Sequence, residues 1–425
     1  AAASEDLWGP AYEAISNASD GLKMIAEGLE IVDDAGNDHT ARVTAWGKFV
    51  QGLGHCMIAQ VYDKGFVLDE TIDLGAGIEP VPFDQVHAAG MQKLQEAIEI
   101  CNTNTFTIPD NTTWMPGNTL TQDDLKKICY SFMARYEAGV ARSKADRAAA
   151  DWASIADWAS KGIEEDLLGY MNGQGWYVYL LLLTSRGWGR TDYKCIGPAD
   201  TSGNYSAWLS ASLDDRDEFL IHTDDKRITD GDPRGSGKYF EHVGHAPFPP
   251  ERGTYHWSVY HTNEYYQGYL DGYTGDYPYM DATELDLLRA EAALRNGDKA
   301  TAVAMINKSR VANGELDPLG TDLSIGDPED QRDAHPYKGD LGNSLWAALK
   351  YEKGVETFMK GGGLAWTDRR GWGTLVTGTI LYFPIPGSEL EVLLMDNYTF
   401  GGVGNEGGAP KMLPMYSPQN QPVRH

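Results

Sequence analysis

Long apolar runs are missing from this 425-residue chain. The longest, Val178 to Leu183, falls far short of the roughly 18 residues that a bilayer-spanning helix requires, so no segment reads as membrane-crossing. Cysteine is scarce. Cys56, Cys101, Cys129 and Cys195 form no CxxC pair and no zinc spacing, and the first three fall in helical, apolar surroundings that suit small core residues. Basic residues are outnumbered 35 to 62, and the resulting formal charge of -27 repels phosphates and anionic membrane surfaces, so no nucleic-acid partner is expected. HExxH is absent, and the GxGxxG match from Gly402 to Gly407 runs into Ala409-Pro410 instead of opening a helix, which removes its phosphate-binding context. No cofactor is expected. The sequence starts at Ala1 without a signal peptide or a lipidatable cysteine, so any export signal or lipid anchor is expected to lie outside it.

Helical periodicity is plentiful. Trp8 to Ile31 and Ala41 to Tyr62 predict one helix pair across the polar loop Asp33 to His39. Asp33, Asp34, Asn37 and Asp38 there are oxygen ligands without EF-hand spacing, and read as a polar turn rather than a calcium loop. Phe83 to Cys101 and Thr121 to Arg142 predict a second pair, and Lys144 to Gly162 a further helix. Residues 281–313 predict a tight hairpin, with Gly297 as stop, Asp298 as the next N-cap, and Ala290, Ala292 and Ala293 permitting the close contact that tetratricopeptide-type repeats need. Between Asp166 and Met280 the period is lost, and glycine, tyrosine, histidine and proline take over. The segment from Ser344 reads as a charged helix, a Gly361-Gly362-Gly363 break, an aromatic and arginine-rich turn, and the strand-like ILYFPIPGSELE. Glu352 and Glu356 share a helix face, and Asp368, Arg369 and Arg370 follow at a distance that lets the chain fold back on them, which predicts a structural ion-pair network.

That closing segment resembles the SusD/RagB family of outer-membrane nutrient-binding lipoproteins. The matching residues are Glu352, Glu356, Gly362, Trp366, Asp368, Arg370, Trp372, Gly373, Pro384, Ile385, Pro386 and Glu389; Lys353 stands where the family prefers Arg, and Trp372 is displaced by one glycine. LLRAEAALRNGD followed by AMINKSR, just upstream, is similar to the family's preceding block, and Trp8, Tyr12, Ile15 and Asn17 to its opening repeat. The family's helical segment ahead of that repeat is expected to be very short or missing in this sequence. The resemblance implies a mostly α fold: tetratricopeptide-like repeats in a right-handed superhelix with a loop-rich, irregular lobe. We expect a single domain over 1–425, with a repeat framework at 8–162 and 281–360, a lobe at 163–280 and an irregular C-terminal segment at 361–425. It further implies a cell-surface, lipid-anchored protein of the outer membrane that binds a glycan or similar oligomer, without catalysis, for a SusC-like TonB-dependent transporter.

Aromatic residues make up 11% of the chain, with 12 Trp and 23 Tyr, and are densest in the irregular half. Flat aromatic faces stack on the apolar C–H faces of pyranose rings, while nearby amides and acids satisfy hydroxyls. The expected ligand-binding residues are Trp176, Trp188, Trp208, Trp257, Tyr265, Tyr266, Tyr269, Asn263 and Gln267, against the alternative that individual rings merely pack the lobe. Five of the ten histidines lie between His222 and His261, but they lack metal-site spacing. The DDRDE run at Asp214 to Glu218 reads as a solvated turn rather than a glycosidase pair. Two other readings stay open: a self-assembling or protein-binding repeat scaffold, and a glycoside hydrolase using loop carboxylates.

Overall fold

The computed structural model describes residues 5–398 except 111–113, 250–251, 253–254, 329–343 and 376–377, and only the backbone of Leu74 and Asp214. The GxGxxG match lies outside the described residues, as does the rest of 399–425.

The fold is mostly α. The helices are α1 (Trp8–Ala26), α2 (Thr40–Val61), α3 (Phe83–Thr103), α4 (Gln122–Gly139), α5 (Lys144–Ala149), α6 (Trp152–Lys161), the short α7 (Tyr193–Ile196), α8 (Asn204–Ser210) and α9 (Tyr266–Leu270), then α10 (Ala282–Arg295), α11 (Lys299–Ala312), α12 (Leu345–Glu356), α13 (Leu364–Trp372) and α14 (Gly387–Val392). Strands β1 (Lys64–Gly65), β2 (Val81–Pro82), β3 (Thr107–Ile108), β4 (Leu120–Thr121), β5 (Leu167–Asn172), β6 (Phe240–His242), β7 (Tyr260–Thr262) and β8 (Thr274–Met280) pair antiparallel as β1–β2, β3–β4, β5–β8 and β6–β7.

Successive helices pack in order: α1 on α2, α2 on α3, α3 on α4, α4 on α6, α6 on α10, and α10 with α11 and α12. Their apolar faces meet in a core that includes Phe49, Cys56, Leu94, Ile98, Ile128, Ile155 and Leu288. Glycine sets the closest approach. A Cβ on Gly90 would stand 2.6 Å from the Cys56 sulfur, and one on Gly52 2.7 Å from Leu94, so α2 and α3 can meet this tightly only where side chains are absent. None of the four cysteines is in a disulfide, and Cys56, Cys101 and Cys129 are buried.

Several sequence expectations need correction. Lys144 to Gly162 is two helices, because Ser143 and Asp151 each cap a fresh N-terminus: Ser143 accepts from Asp146 N and Asp151 from Ser154 N. The region read as an arginine-rich turn is a helix, α13. Gly361, Gly362 and Gly363 all have positive φ, and Gly363 serves as N-cap while Gly373 (φ +72°) closes the C-terminus, so the glycines bracket a helix instead of replacing one. The strand-like run contains only an isolated bridge between Tyr62 and Phe383, followed by α14. Pro384 and Pro386 lack the N–H groups a ladder needs.

The ion-pair network exists, with partners different from those expected. Arg227, fully buried, uses every N–H of its guanidinium on Asp225 (3.0 and 2.7 Å), Glu352 (2.6 and 3.0 Å) and Glu356 (2.7 Å). Asp368 turns the other way, to Arg147 and Lys353, each at 2.9 Å. Arg147 also grips Glu291 (2.8 and 2.7 Å), where Arg295 and the Trp372 indole converge. Burial pushes the Glu291 carboxyl up, but Arg147, Arg295 and Lys353 together outweigh it and hold the group down at about 2. Glu352 shows the opposite balance: burial, with Asp225 and Glu356 nearby, leaves its pKa raised despite Arg227. Arg370 meets carbonyls rather than acids, donating to Ala141, Gln60, Leu381 and Gly139, and burial brings its pKa down to about 8. Arg369 donates to the Lys194 carbonyl.

Candidate functional site

Strands β5 and β8 carry the site. Their register pairs Tyr170 with Asp276, Met171 with Gly275 and Asn172 with Thr274, and β5 alternates buried and exposed residues with period two. At its end the Asn172 side-chain oxygen accepts from the backbone N–H groups of Gln174, Gly175 and Trp176, closing a tight turn. The chain then rises through Tyr177 into a 3-10 turn at Tyr179–Thr184 that packs on α9. Beneath it Met171, Leu181 and Tyr277 form a small buried core, on which Trp176, Tyr265, Tyr269 and Tyr273 rest.

Tyrosines cover this base. Tyr179 is 64% exposed and Tyr177 42%. Tyr273 joins them: its ring lies 5.3 Å from Tyr177, 6.1 Å from Tyr179 at an interplanar angle of 17°, and 5.8 Å edge-on from Tyr269. Tyr269 stacks with Tyr266 at 6.3 Å, and the Arg186 guanidinium covers Tyr266 at 4.5 Å. Tyr273 holds this central place with φ at +64°, a left-handed conformation costing a non-glycine residue about 1 kcal/mol or more. Exposed Gln267, bonded to Asp271 at 2.9 Å, supplies polar groups on the same short helix. Gly169 fixes the neighbouring pair Trp176 and Tyr279, stacked at 4.7 Å: a Cβ there would stand 2.9 Å from Trp176 and closer still to Tyr279.

Charged groups tie the platform's underside to the helices. Lys360 pairs with Glu264 at 3.0 Å and Asp281 at 3.5 Å, Tyr265 donates to Glu264, Tyr239 to Glu356, and Tyr277 to the Met359 carbonyl. Burial pushes the Asp281 carboxyl up to about 7; Lys360 opposes this while Asp166, Glu284 and Glu264 reinforce it.

The structure brings Trp176, Tyr265, Tyr266, Tyr269 and Gln267 together in or under this face. Asn263 lies beside it, its N–H bonded to Tyr239 O and its side chain 3.4 Å from Gly237 O. Trp188 sits in the turn after the 3-10 segment, its backbone N–H bonded to Ser185 O. Trp208 is only 4% exposed and packs with Tyr193, Tyr205 and Phe219 in the lobe's own core, while half-buried Trp257 stands edge-on to Phe248 across a separate hollow. Tyr177, Tyr179 and Tyr273, the middle of the platform, were not among the individually named candidates. Their one signal is position, beside glycines and an apolar run that supplies the floor. Among the described residues no three His, Cys, Asp or Glu side chains gather as metal ligands, and no helix is long and apolar enough to cross a membrane. In the acidic run, Asp215 accepts from Ser212, Glu218 from His245 and Ala246, and the Asp214 side chain lies outside the described residues.

A helical stack with an irregular, aromatic-faced lobe defines a SusD-like fold. The structure is similar to a SusD superfamily protein from Parabacteroides distasonis (TM-score 0.52, 14% identity, 92% of this chain and 84% of that one) and to a SusD homolog from Bacteroides thetaiotaomicron (0.52, 12%, 92% and 84%). A SusD-like protein from Bacteroides fragilis overlays at TM-score 0.50 and 12% identity, over 87% of this chain and 74% of that one. No family model matches the sequence, and no curated protein does either.

Proposed function

We propose that this protein binds oligosaccharides without cleaving them, on the Tyr177–Tyr179–Tyr273–Tyr269 face, and presents them at the cell surface to a SusC-like TonB-dependent transporter of the outer membrane, to which a lipid anchor outside this sequence keeps it close. In this reading residues 1–425 act as one domain, with the helical framework at 8–162 and 281–360, the loop-rich lobe at 163–280 and the C-terminal segment at 361–425. The observation that carries it is the open tyrosine face: four rings share a surface, two of them substantially exposed, over a preformed apolar floor. Rings held rigid before the ligand arrives lose little entropy on binding. For the compartment and the transporter, the support is the motif resemblance of the closing segment. Titrating neutral oligosaccharides of different linkage against intrinsic tryptophan fluorescence tests the reading, since Trp176 stacks beside the platform. Saturable quenching by at least one glycan is expected; silence across the panel, with binding of peptides instead, removes it.

A second reading has one specific observation behind it. Leu180 and Leu270 are 53% and 54% exposed in the same 3-10 turn and helix as the tyrosines, which suits a protein partner or a second copy of the chain. Light scattering across concentrations separates the two: the glycan-binding reading predicts an unchanged particle mass.

A further inference from the structure

The hollow beside Trp257 is a second concavity, of about 300 Å³, lined by Trp208, Arg216, Glu218, His245, Phe248 and Trp257 among others. That volume lies at the small end of ligand pockets and suits a single sugar ring. Arg135, Arg147 and Arg227 each clasp carboxylates, whereas Arg216 has no ion pair among the described residues. Its guanidinium lies on the Trp208 face at 4.3 Å, its terminal nitrogens reach only the Leu209 carbonyl and His256 Nδ1, both at 3.4 Å, and its buried Nε–H has no partner. Arg190, also without a paired acid, donates to the carbonyls of Arg186, Gly189 and His245, and its Nε–H too is unsatisfied. Of the two carboxylates in the lining, Glu218 is already committed to His245 Nδ1 and the Ala246 N–H, both at 2.5 Å, which leaves Asp217 at the exposed edge. In a protein of net charge -27, one arginine with a donor to spare in the wall of an aromatic hollow points to an anionic group; Arg190 is outside the lining and adjoins it only through the His245 carbonyl.

We propose that this hollow is a subsite for an anionic sugar ring, a pyranose bearing a carboxylate or a sulfate ester, seated against the Trp257 ring with its charged substituent on Arg216. The assignment rests on the glycan-binding reading and adds a charge preference to it, in a place separate from the tyrosine face.

The test is calorimetric titration of the full chain with an oligogalacturonate, its uncharged methyl ester of equal length, and a sulfated galactan oligomer. Wild-type protein is expected to bind at least one of the two anionic oligomers at least tenfold tighter than the ester, and which one identifies the substituent. Arg216→Gln and Arg216→Lys should each remove that preference, by about tenfold to a hundredfold for a lost charge-assisted fork, while leaving the ester's affinity unchanged. Should the glutamine variant fail to fold, Trp257→Ala, on a half-buried ring, must produce the same selective loss. Equal affinity of the wild-type protein for charged and uncharged oligomers, with ester binding still weakened by Tyr177→Ala/Tyr179→Ala, overturns this subsite and spares the proposed function. Binding of none of the three, together with silence across the neutral glycan panel, removes both.

Discussion

Replacing Arg227 with methionine gives the sharpest test of how the lobe is fixed to the helices. Arg227 is fully buried and is the shared cation of Asp225, Glu352 and Glu356, which it holds through five hydrogen bonds between 2.6 and 3.0 Å. Removing one member of a buried ion pair ordinarily costs about 3–5 kcal/mol, because the partner's charge is left without compensation; here three carboxylates lose their common cation. For 425 residues at about 2.1 cal/mol/K each, the unfolding entropy is roughly 0.9 kcal/mol/K, so that loss corresponds to a fall in Tm of at least about 3–6 °C. The pH dependence carries the mechanism. In the variant the orphaned acids have folded-state pKa values above their unfolded ones, so the folded form holds extra protons and gains stability as pH falls from 8 toward 5. Scanning calorimetry at pH 8 and pH 5 reads both effects. A Tm within 1 °C of wild type at pH 8, or a deficit that does not shrink on acidification, refutes the reasoning.

Asp281, pushed up from 3.8 to about 7 by burial, is protonated in the folded state over a range where the unfolded chain is ionised, so its contribution falls as pH rises from 4 to 7. Three units correspond to about 4 kcal/mol, so Asp281→Asn should gain on wild type by up to that much across the window; a gap that is constant with pH in urea titrations contradicts it. Gly169→Ala forces a methyl group into the Trp176–Tyr279 stack and should cost about 1–3 kcal/mol while shifting tryptophan emission; an unchanged spectrum and melt would mean the rings are not held there.

The helix pairs were legible because each carries an apolar face at helical spacing, visible within a short window. The shared face of Glu352 and Glu356 was legible for the same reason. Their partner was not: Arg227 lies 125 residues from Glu352, and local spacing cannot choose between it and the nearer arginines at 369 and 370. Glycine misled at 361–363, where the residue that stops one helix also caps the next. In the lobe, the sequence pointed to an aromatic-rich region without sorting its rings. Tyr179 and Trp208 look alike in sequence, yet one stands in solvent beside the Tyr273 ring while the other closes a core with Tyr193 and Phe219. Which face of an irregular segment is covered depends on what packs beneath it, and no periodicity records that.

The measurement that bears most directly on the central claim is the affinity of a neutral oligosaccharide for wild-type protein and for the Tyr177→Ala/Tyr179→Ala double variant, by titration calorimetry. Two lost stacking faces at about 1 kcal/mol each predict at least a tenfold to thirtyfold weakening with the melting temperature little changed, since neither ring is buried. Equal affinity in the two proteins would contradict the assignment of this tyrosine face as the glycan-binding surface.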